Sequence, residues 1–161
     1  MINKKFLRLG KLFVSIFISL LAGFIGSFFT TSSVSNWYPT LTKPFFNPPN
    51  WIFAPVWTIL YILIGISLFL VWDKISSNLF SEKAIILFII QLILNSLWSI
   101  LFFGLRSPLL GVVGIIPLWI TILLMMYYFR KESKLSFYLL IPYILWVSFA
   151  AILNIAIFVL N

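Results

Sequence analysis

The sequence contains neither cysteine nor histidine, and its only acidic residues are Asp73, Glu82 and Glu132. Without cysteine there is no disulfide framework, no thiol nucleophile and no thiolate metal site. Without histidine the commonest metal ligand and the usual general base are gone. The three acids lie between apolar runs rather than inside them. Metal-assisted hydrolysis, serine-triad chemistry and carboxylate-pair catalysis are therefore not expected, and no metal or other cofactor is called for. Charge of either sign is scarce: 9% of residues are charged, against about 25% in an ordinary soluble domain.

What is abundant is apolar. Hydrophobic residues make up 63% of the chain and the mean hydropathy is +1.16. A water-soluble fold of this length has too little interior to hide that surface, so the expected class is an all-α polytopic membrane protein. A span needs roughly 20 apolar residues to cross the hydrocarbon core. Five runs qualify, at 10–30, 53–72, 84–104, 109–129 and 136–159. They form one transmembrane unit over 1–161, with a loop over 31–52. The first run follows four cations but exceeds a signal-peptide core and lacks an A-x-A cleavage pattern, so it is read as a retained helix. Pro117 lies inside the fourth run, where loss of a backbone donor predicts a kink.

The net charge of +8 fits membrane topology better than nucleic-acid binding, because the cations sit in short loops. Lys4, Lys5, Arg8, Lys11, Lys74, Lys83, Arg130, Lys131 and Lys134 fall on one side of five spans; only Lys43 and Arg106 fall on the other. That asymmetry predicts a cytoplasmic N-terminus and an external C-terminus, with the bacterial plasma membrane as the expected location.

The segment from Trp37 to Trp51 differs from the other loops, holding four prolines and five aromatics. Proline resists helix interiors, so an ordered, extended loop is expected, acting as a lid rather than as a headgroup anchor alone. Helical spacing gathers further residues into stripes. Trp57, Tyr61, Gly65, Leu68 and Trp72 share one face of the second span; Gln91, Asn95, Trp98 and Phe102 share one on the third; Tyr143, Trp146, Ala150 and Asn154 share one on the fifth. Amides at membrane depth require partners that lipid cannot supply. The stripes should face inward, either to glue helices together or to line a pocket for a large planar ligand. On the first span, rows of small residues (Ser15, Ser19, Gly23 and Ala22, Gly26, Thr30) serve either internal packing or a homodimer seam.

These residues resemble the tryptophan-rich sensory protein / translocator protein family (TspO/MBR). The similar segments are Trp37-Tyr38 with Leu41-Thr42-Lys43-Pro44 and Pro48-Pro49; Pro55-Val56-Trp57 with Leu60-Tyr61; Gln91 with Asn95-Ser96-Leu97-Trp98 and Phe102-Phe103-Gly104-Leu105-Arg106; and Pro142-Tyr143, Trp146, Phe149-Ala150 and Leu153-Asn154. The resemblance implies a five-helix bundle, usually homodimeric, that acts as a membrane receptor or sensor for porphyrins and similar planar ligands. It places Trp57, Asn95 and Trp146 against ligand, Tyr61, Trp98 and Ala150 in the pocket walls, and Trp37, Lys43 and Pro44 in the lid. Lys43 and Arg106, the outer cations, become candidates to pair with porphyrin propionates. Some family members are described as degrading protoporphyrin in light, for which Trp57 and Trp146 would be the catalytic candidates here. Transport of porphyrin or another small molecule is a third reading, although no ionisable residue lies mid-span to couple ions. Axial haem ligation is disfavoured without histidine or cysteine. The family's sterol pattern near the end of the last helix is missing at Leu153-Asn154-Ile155-Ala156; a similar pattern ends at Arg130, but such motifs are weak.

Overall fold

Residues 4–74 and 79–161 are described by a computed structural model. Helix α1 (Lys4–Asn36) leads through two short 3-10 turns (Tyr38–Thr40 and Asn50–Ile52) into α2 (Phe53–Trp72). Then come α3 (Leu79–Ser99), which continues as a π-helical turn (Ile100–Gly104), α4 (Pro108–Glu132), α5 (Lys134–Leu139) and α6 (Ile141–Leu160). Among the described residues, five stretches are long and apolar enough to cross a membrane, the fifth comprising α5 and α6 together. The chain is an all-α polytopic membrane protein. Helices suit that solvent because they satisfy every interior backbone group within the segment.

Several boundaries differ from the pattern in the sequence. α1 is longer at both ends than 10–30. Its C-terminal extension is rich in serine and threonine, residues that usually compete with helical bonding. Here the hydroxyls of Thr30, Thr31 and Ser35 donate to carbonyls four residues back, and Ser33 donates to the Phe103 carbonyl at 2.6 Å. The irregular loop therefore starts at Trp37, not at 31. At the other end, Arg8 pairs with Asp73 at 2.9 Å and Lys11 reaches the Trp72 carbonyl, holding the early turns against the end of α2.

The fifth span is interrupted at Leu140, one residue before α6 begins. Pro142 cannot donate to the preceding turn, so α5 ends and α6 starts afresh. A reciprocal serine pair secures this joint: Ser67 and Ser136 hydroxyls lie 2.6 Å apart and each donates to the other residue's carbonyl. Pro117, by contrast, lies within a helix that runs unbroken from Pro108 to Glu132. Pro108 occupies the first turn of α4, and the Ser107 hydroxyl caps the Leu110 amide.

The spans close a ring: α1 packs on α2 and α3, α3 on α4, α4 on α6, and α2 on α5. In hydrocarbon the water-driven term that joins helices elsewhere is missing, so close backbone approach and hydrogen bonds matter more. Ser15, Ser19, Ala22 and Gly26 are buried on the inner face of α1. A Cβ on Gly23 would meet the Tyr61 ring at 2.4 Å, and one on Gly65 would meet the Ile16 Cα at 2.5 Å. Members of both rows of small residues on α1 thus pack inside the protomer.

Candidate functional site

A cavity of about 520 Å³ lies between α1, α2 and α3. It sits beyond the crossing where Gly23 and Gly65 bring α1 and α2 together, on the side toward the 37–52 loop. Its aromatic wall comes from Phe53, Trp57, Tyr61, Trp98 and Phe103, and its other wall from α1 residues between Leu20 and Ser35. Phe24, Ser27, Thr31, Ser35, Ala54 and Thr58 line it and are themselves exposed, so the mouth opens on the flank between α1 and α2.

The rings are held in place. Trp57 stacks on Tyr61 with centroids 5.6 Å apart and lies 6.1 Å from Trp98. Trp98 stacks in turn on Phe102. The Tyr61 hydroxyl donates to Asn95 Oδ1 at 2.6 Å, Asn95 Nδ2 donates to the Tyr143 hydroxyl at 2.9 Å, and Tyr143 donates to Gln91 Oε1 at 2.8 Å. Trp98 Nε1 donates to Asn154 Oδ1 at 3.3 Å, and Asn154 Nδ2 donates to the Ala150 carbonyl. Each of these amides bridges helices or anchors a ring. The stripes of α2 and α3 therefore do both jobs at once: their polar atoms join α2, α3 and α6 while Trp57, Tyr61 and Trp98 border the cavity.

Around the mouth the polar groups have one character. Ser27, Thr30, Thr31, Ser35 and Thr58 each donate to a carbonyl of their own helix, at 2.8–3.2 Å. Their hydroxyl hydrogens are used and their oxygen lone pairs remain. The mouth offers a ligand acceptors rather than donors.

The residues singled out from sequence divide into groups. Trp57, Tyr61, Asn95 and Trp98 all line the cavity. Trp146 and Ala150 do not: Trp146 packs against Phe53, itself part of the wall, and against Phe149, with centroids 6.1 and 5.5 Å away. The Trp146 indole N–H is buried without a hydrogen-bond partner, as is Gln91 Nε2. Trp37, Lys43 and Pro44 sit outside the cavity as well. Trp37 packs edge-on against Phe102. The Lys43 ammonium donates to the carbonyls of Tyr38, Pro39 and Leu41 and lies over the Tyr38 ring, so its three hydrogens are committed to the loop's own backbone. Arg106 is exposed in the turn between α3 and α4 and has a positive φ of 53°.

The loop itself is seated on the end of the bundle. Tyr38 is buried against Phe53, Phe102 and Phe103, and burial pushes its hydroxyl pKa up to about 12. That protonated hydroxyl donates to Asn47. Phe46 meets Phe149, while the Asn161 side chain both accepts from the Thr42 amide at 2.9 Å and donates to the Thr42 carbonyl at 3.0 Å. Asn50 is the loop's contribution to the cavity. The sequence pattern did not single out the hydroxyl row Ser27, Thr31, Ser35, which recurs every four residues along the mouth, and it assigned Gly23 and Gly26 to internal packing or a homodimer seam rather than to the cavity lining.

Fold and site together define a polytopic helical membrane protein with an aromatic-walled cavity opening between its spans. Residues 15–160 match the TspO/MBR family, and the chain belongs to it. It is 52% identical over 151 residues to the tryptophan-rich protein TspO of Archaeoglobus fulgidus, covering 94% of this chain and 97% of that protein. It is 47% identical over 163 residues to the protein of the same name from Chlorobaculum tepidum, covering 99% of each. Similarity extends to the translocator protein of Homo sapiens, 34% identical over 134 residues, which cover 81% of this chain and 78% of that one.

Proposed function

We propose that this protein is a membrane receptor or sensor that takes a porphyrin or similar planar hydrophobic ligand into the cavity between α1, α2 and α3. The observation that carries this reading is the cavity itself, about 520 Å³ with Trp57, Tyr61 and Trp98 in one wall. Ligand sites commonly measure about 300–1,000 Å³ and are mostly apolar with a few polar groups. Flat indole and phenol faces suit a conjugated macrocycle by stacking. Relatives named tryptophan-rich sensory protein and translocator protein agree with a sensing or receptor role.

The test is quenching of tryptophan fluorescence on titration with protoporphyrin. Ser27→Trp would fill the cavity from its exposed rim, and Trp57→Phe would remove a stacking face. Both should weaken binding about tenfold or more while far-ultraviolet circular dichroism stays unchanged. Unaltered affinity in both variants would reject the cavity as the site. Arg106→Gln isolates the propionate contact, because Lys43 is engaged with its own loop; equal loss for protoporphyrin and a neutral analogue would reject that contact.

A second reading, light-dependent breakdown of protoporphyrin, draws support from Trp57 and Trp98 bordering the same cavity with ring centroids 6.1 Å apart. Trp146 stands behind Phe53 and is a weaker catalytic candidate than Trp57. Illumination of the complex, with product compared between wild type and Trp57→Phe, separates this reading from binding alone. We place the N-terminus in the cytoplasm on the asymmetry of lysine and arginine, and we retain the homodimer as a proposal for crosslinking to test.

A further inference from the structure

The cavity between α1, α2 and α3 opens sideways, and its depth in the membrane fixes what adjoins the opening. α2 runs 20 residues from Phe53 to Trp72, about 30 Å at about 1.5 Å per residue, which matches the thickness of the hydrocarbon core. The α2 residues that line the cavity run from Phe53 to Tyr61, so the hollow lies within the about 12 Å of that core nearest the 37–52 loop. The mouth therefore faces acyl chains. We propose that an acyl chain of a phospholipid from the loop-side leaflet enters the cavity between α1 and α2 and lies against Tyr61 and Trp98.

Among the described residues, none of those lining the cavity is charged, so a headgroup gains nothing by entering. The polar atoms of the deep wall are engaged already, Tyr61 with Asn95 and Trp98 with Asn154. The mouth hydroxyls of Ser27, Thr31, Ser35 and Thr58 donate to their own helices, so a hydrocarbon chain passing them strands no donor. Water would have to cross hydrocarbon to reach a deep wall with few partners left for it. A helix of a second copy, about 10–12 Å across with its side chains, could cap the mouth but could not reach Trp98 behind it. A single chain is slender enough to pass between α1 and α2. Its gain is dispersion contact with the rings, because the bilayer it leaves is equally apolar. The proposal does not depend on the planar-ligand reading of the same cavity; it makes any planar ligand a competitor of bilayer lipid.

The experiment uses the full chain, with no planar ligand added, in nanodiscs of phosphatidylcholine that carries a photoactivatable diazirine near the end of one acyl chain. Adducts are mapped by mass spectrometry. Tyr61 and Trp98 are each only 6% exposed, whereas Phe28 and Ile59 face outward at 75% and 58%. Wild type should give adducts at Tyr61 and Trp98 as well as at Phe28 and Ile59. Moving the diazirine to the glycerol end of the chain should abolish the Tyr61 and Trp98 adducts. Ser27→Trp fills the mouth and should lower them by about tenfold or more, while those at Phe28 and Ile59 persist. Leu21→Trp places the same ring on the exposed surface of α1, outside the cavity lining, and should change nothing. Wild-type adducts confined to Phe28 and Ile59 would overturn the proposal, a result that needs no variant to fold. So would equal loss of the Tyr61 and Trp98 adducts in the two tryptophan variants. Adducts at Tyr61 and Trp98 that form with one copy per disc and vanish with two would give the mouth to a second copy instead.

Discussion

The polar chain Tyr61–Asn95–Tyr143–Gln91 joins α2, α3 and α6, so removing its central member has a calculable cost. Asn95→Leu deletes two buried hydrogen bonds. Membrane hydrogen bonds average about 0.6 kcal/mol and reach about 1.7 kcal/mol. The Tyr61 hydroxyl loses its acceptor while buried, at about 1–3 kcal/mol, whereas Tyr143 keeps Gln91. The expected destabilisation is therefore about 2–4 kcal/mol. Tyr61→Phe deletes one bond and leaves Asn95 Oδ1 without its donor, at about 1–3 kcal/mol. Because both substitutions break the same bond, the double variant should fall short of their sum by about 1–2 kcal/mol. Reversible unfolding in mixed micelles, followed by circular dichroism, measures all three. Additivity within about 0.3 kcal/mol would refute the coupling. The same variants separate scaffold from contact. Tyr143→Phe breaks the network while Tyr143 lies outside the cavity wall, so if Asn95 acts through the network, both Asn95→Leu and Tyr143→Phe weaken protoporphyrin binding. Loss in Asn95→Leu alone would mean that the amide touches ligand.

Two glycines on the α1–α2 pair should behave in opposite ways. Gly65→Ala meets backbone of Ile16 at 2.5 Å and should destabilise by about 1–3 kcal/mol, whereas Gly10→Ala meets nothing and should stabilise by about 0.5–1 kcal/mol, both read by micellar unfolding. Arg106 holds a left-handed conformation, so Arg106→Gly should raise stability by about 1 kcal/mol in the same assay. Asn161→Leu removes the two-point clamp on Thr42 and should speed hydrogen exchange at the Thr42 amide about tenfold without altering the spans. The Tyr38 hydroxyl has its pKa raised from 10.0 to about 12, which favours the protonated form in the folded state. Its stabilising contribution should be complete below pH 10 and lost as pH rises from 10 through 12, and Tyr38→Phe should flatten that part of the stability profile.

The five spans were legible because hydrocarbon imposes a minimum apolar length, and the stripes were legible because an amide at membrane depth must turn inward. Trp57, Tyr61, Asn95 and Trp98 accordingly meet around one cavity. What periodicity does not encode is the rotation of one helix against another. Trp146 shares a face with Tyr143 on α6, yet Phe53 lies against it and stands in the cavity wall. Composition misled at 31–36, where serine and threonine look like a helix end but bond back along α1. Pro142 did carry a signal for the break at Leu140, while Pro117 showed that the same residue can sit within an unbroken helix. The π-helical turn at Ile100–Gly104 has no local signature; it is seen only in bonds such as Leu105 N–H to the Ile100 carbonyl, five residues back.

The placement of the amides also bears on how this cavity discriminates. A residue that hydrogen-bonds a ligand directly rejects analogues lacking the matching group, because its own polar atom is then stranded. Here Asn95, Asn154 and the Tyr61 and Trp98 polar atoms are already paired within the protein. What Tyr61 and Trp98 present to the cavity is ring area in a fixed orientation, and what α1 adds is a row of hydroxyl oxygens whose hydrogens are committed to the helix. Selection by such a site rests on planarity, thickness and the absence of competing acceptors at the ligand's edge. Related planar molecules should then bind with graded affinities rather than all-or-none. A sharp requirement for one substituent would mean that Trp146 Nε1, the buried donor still unpaired behind Phe53, has become part of the site.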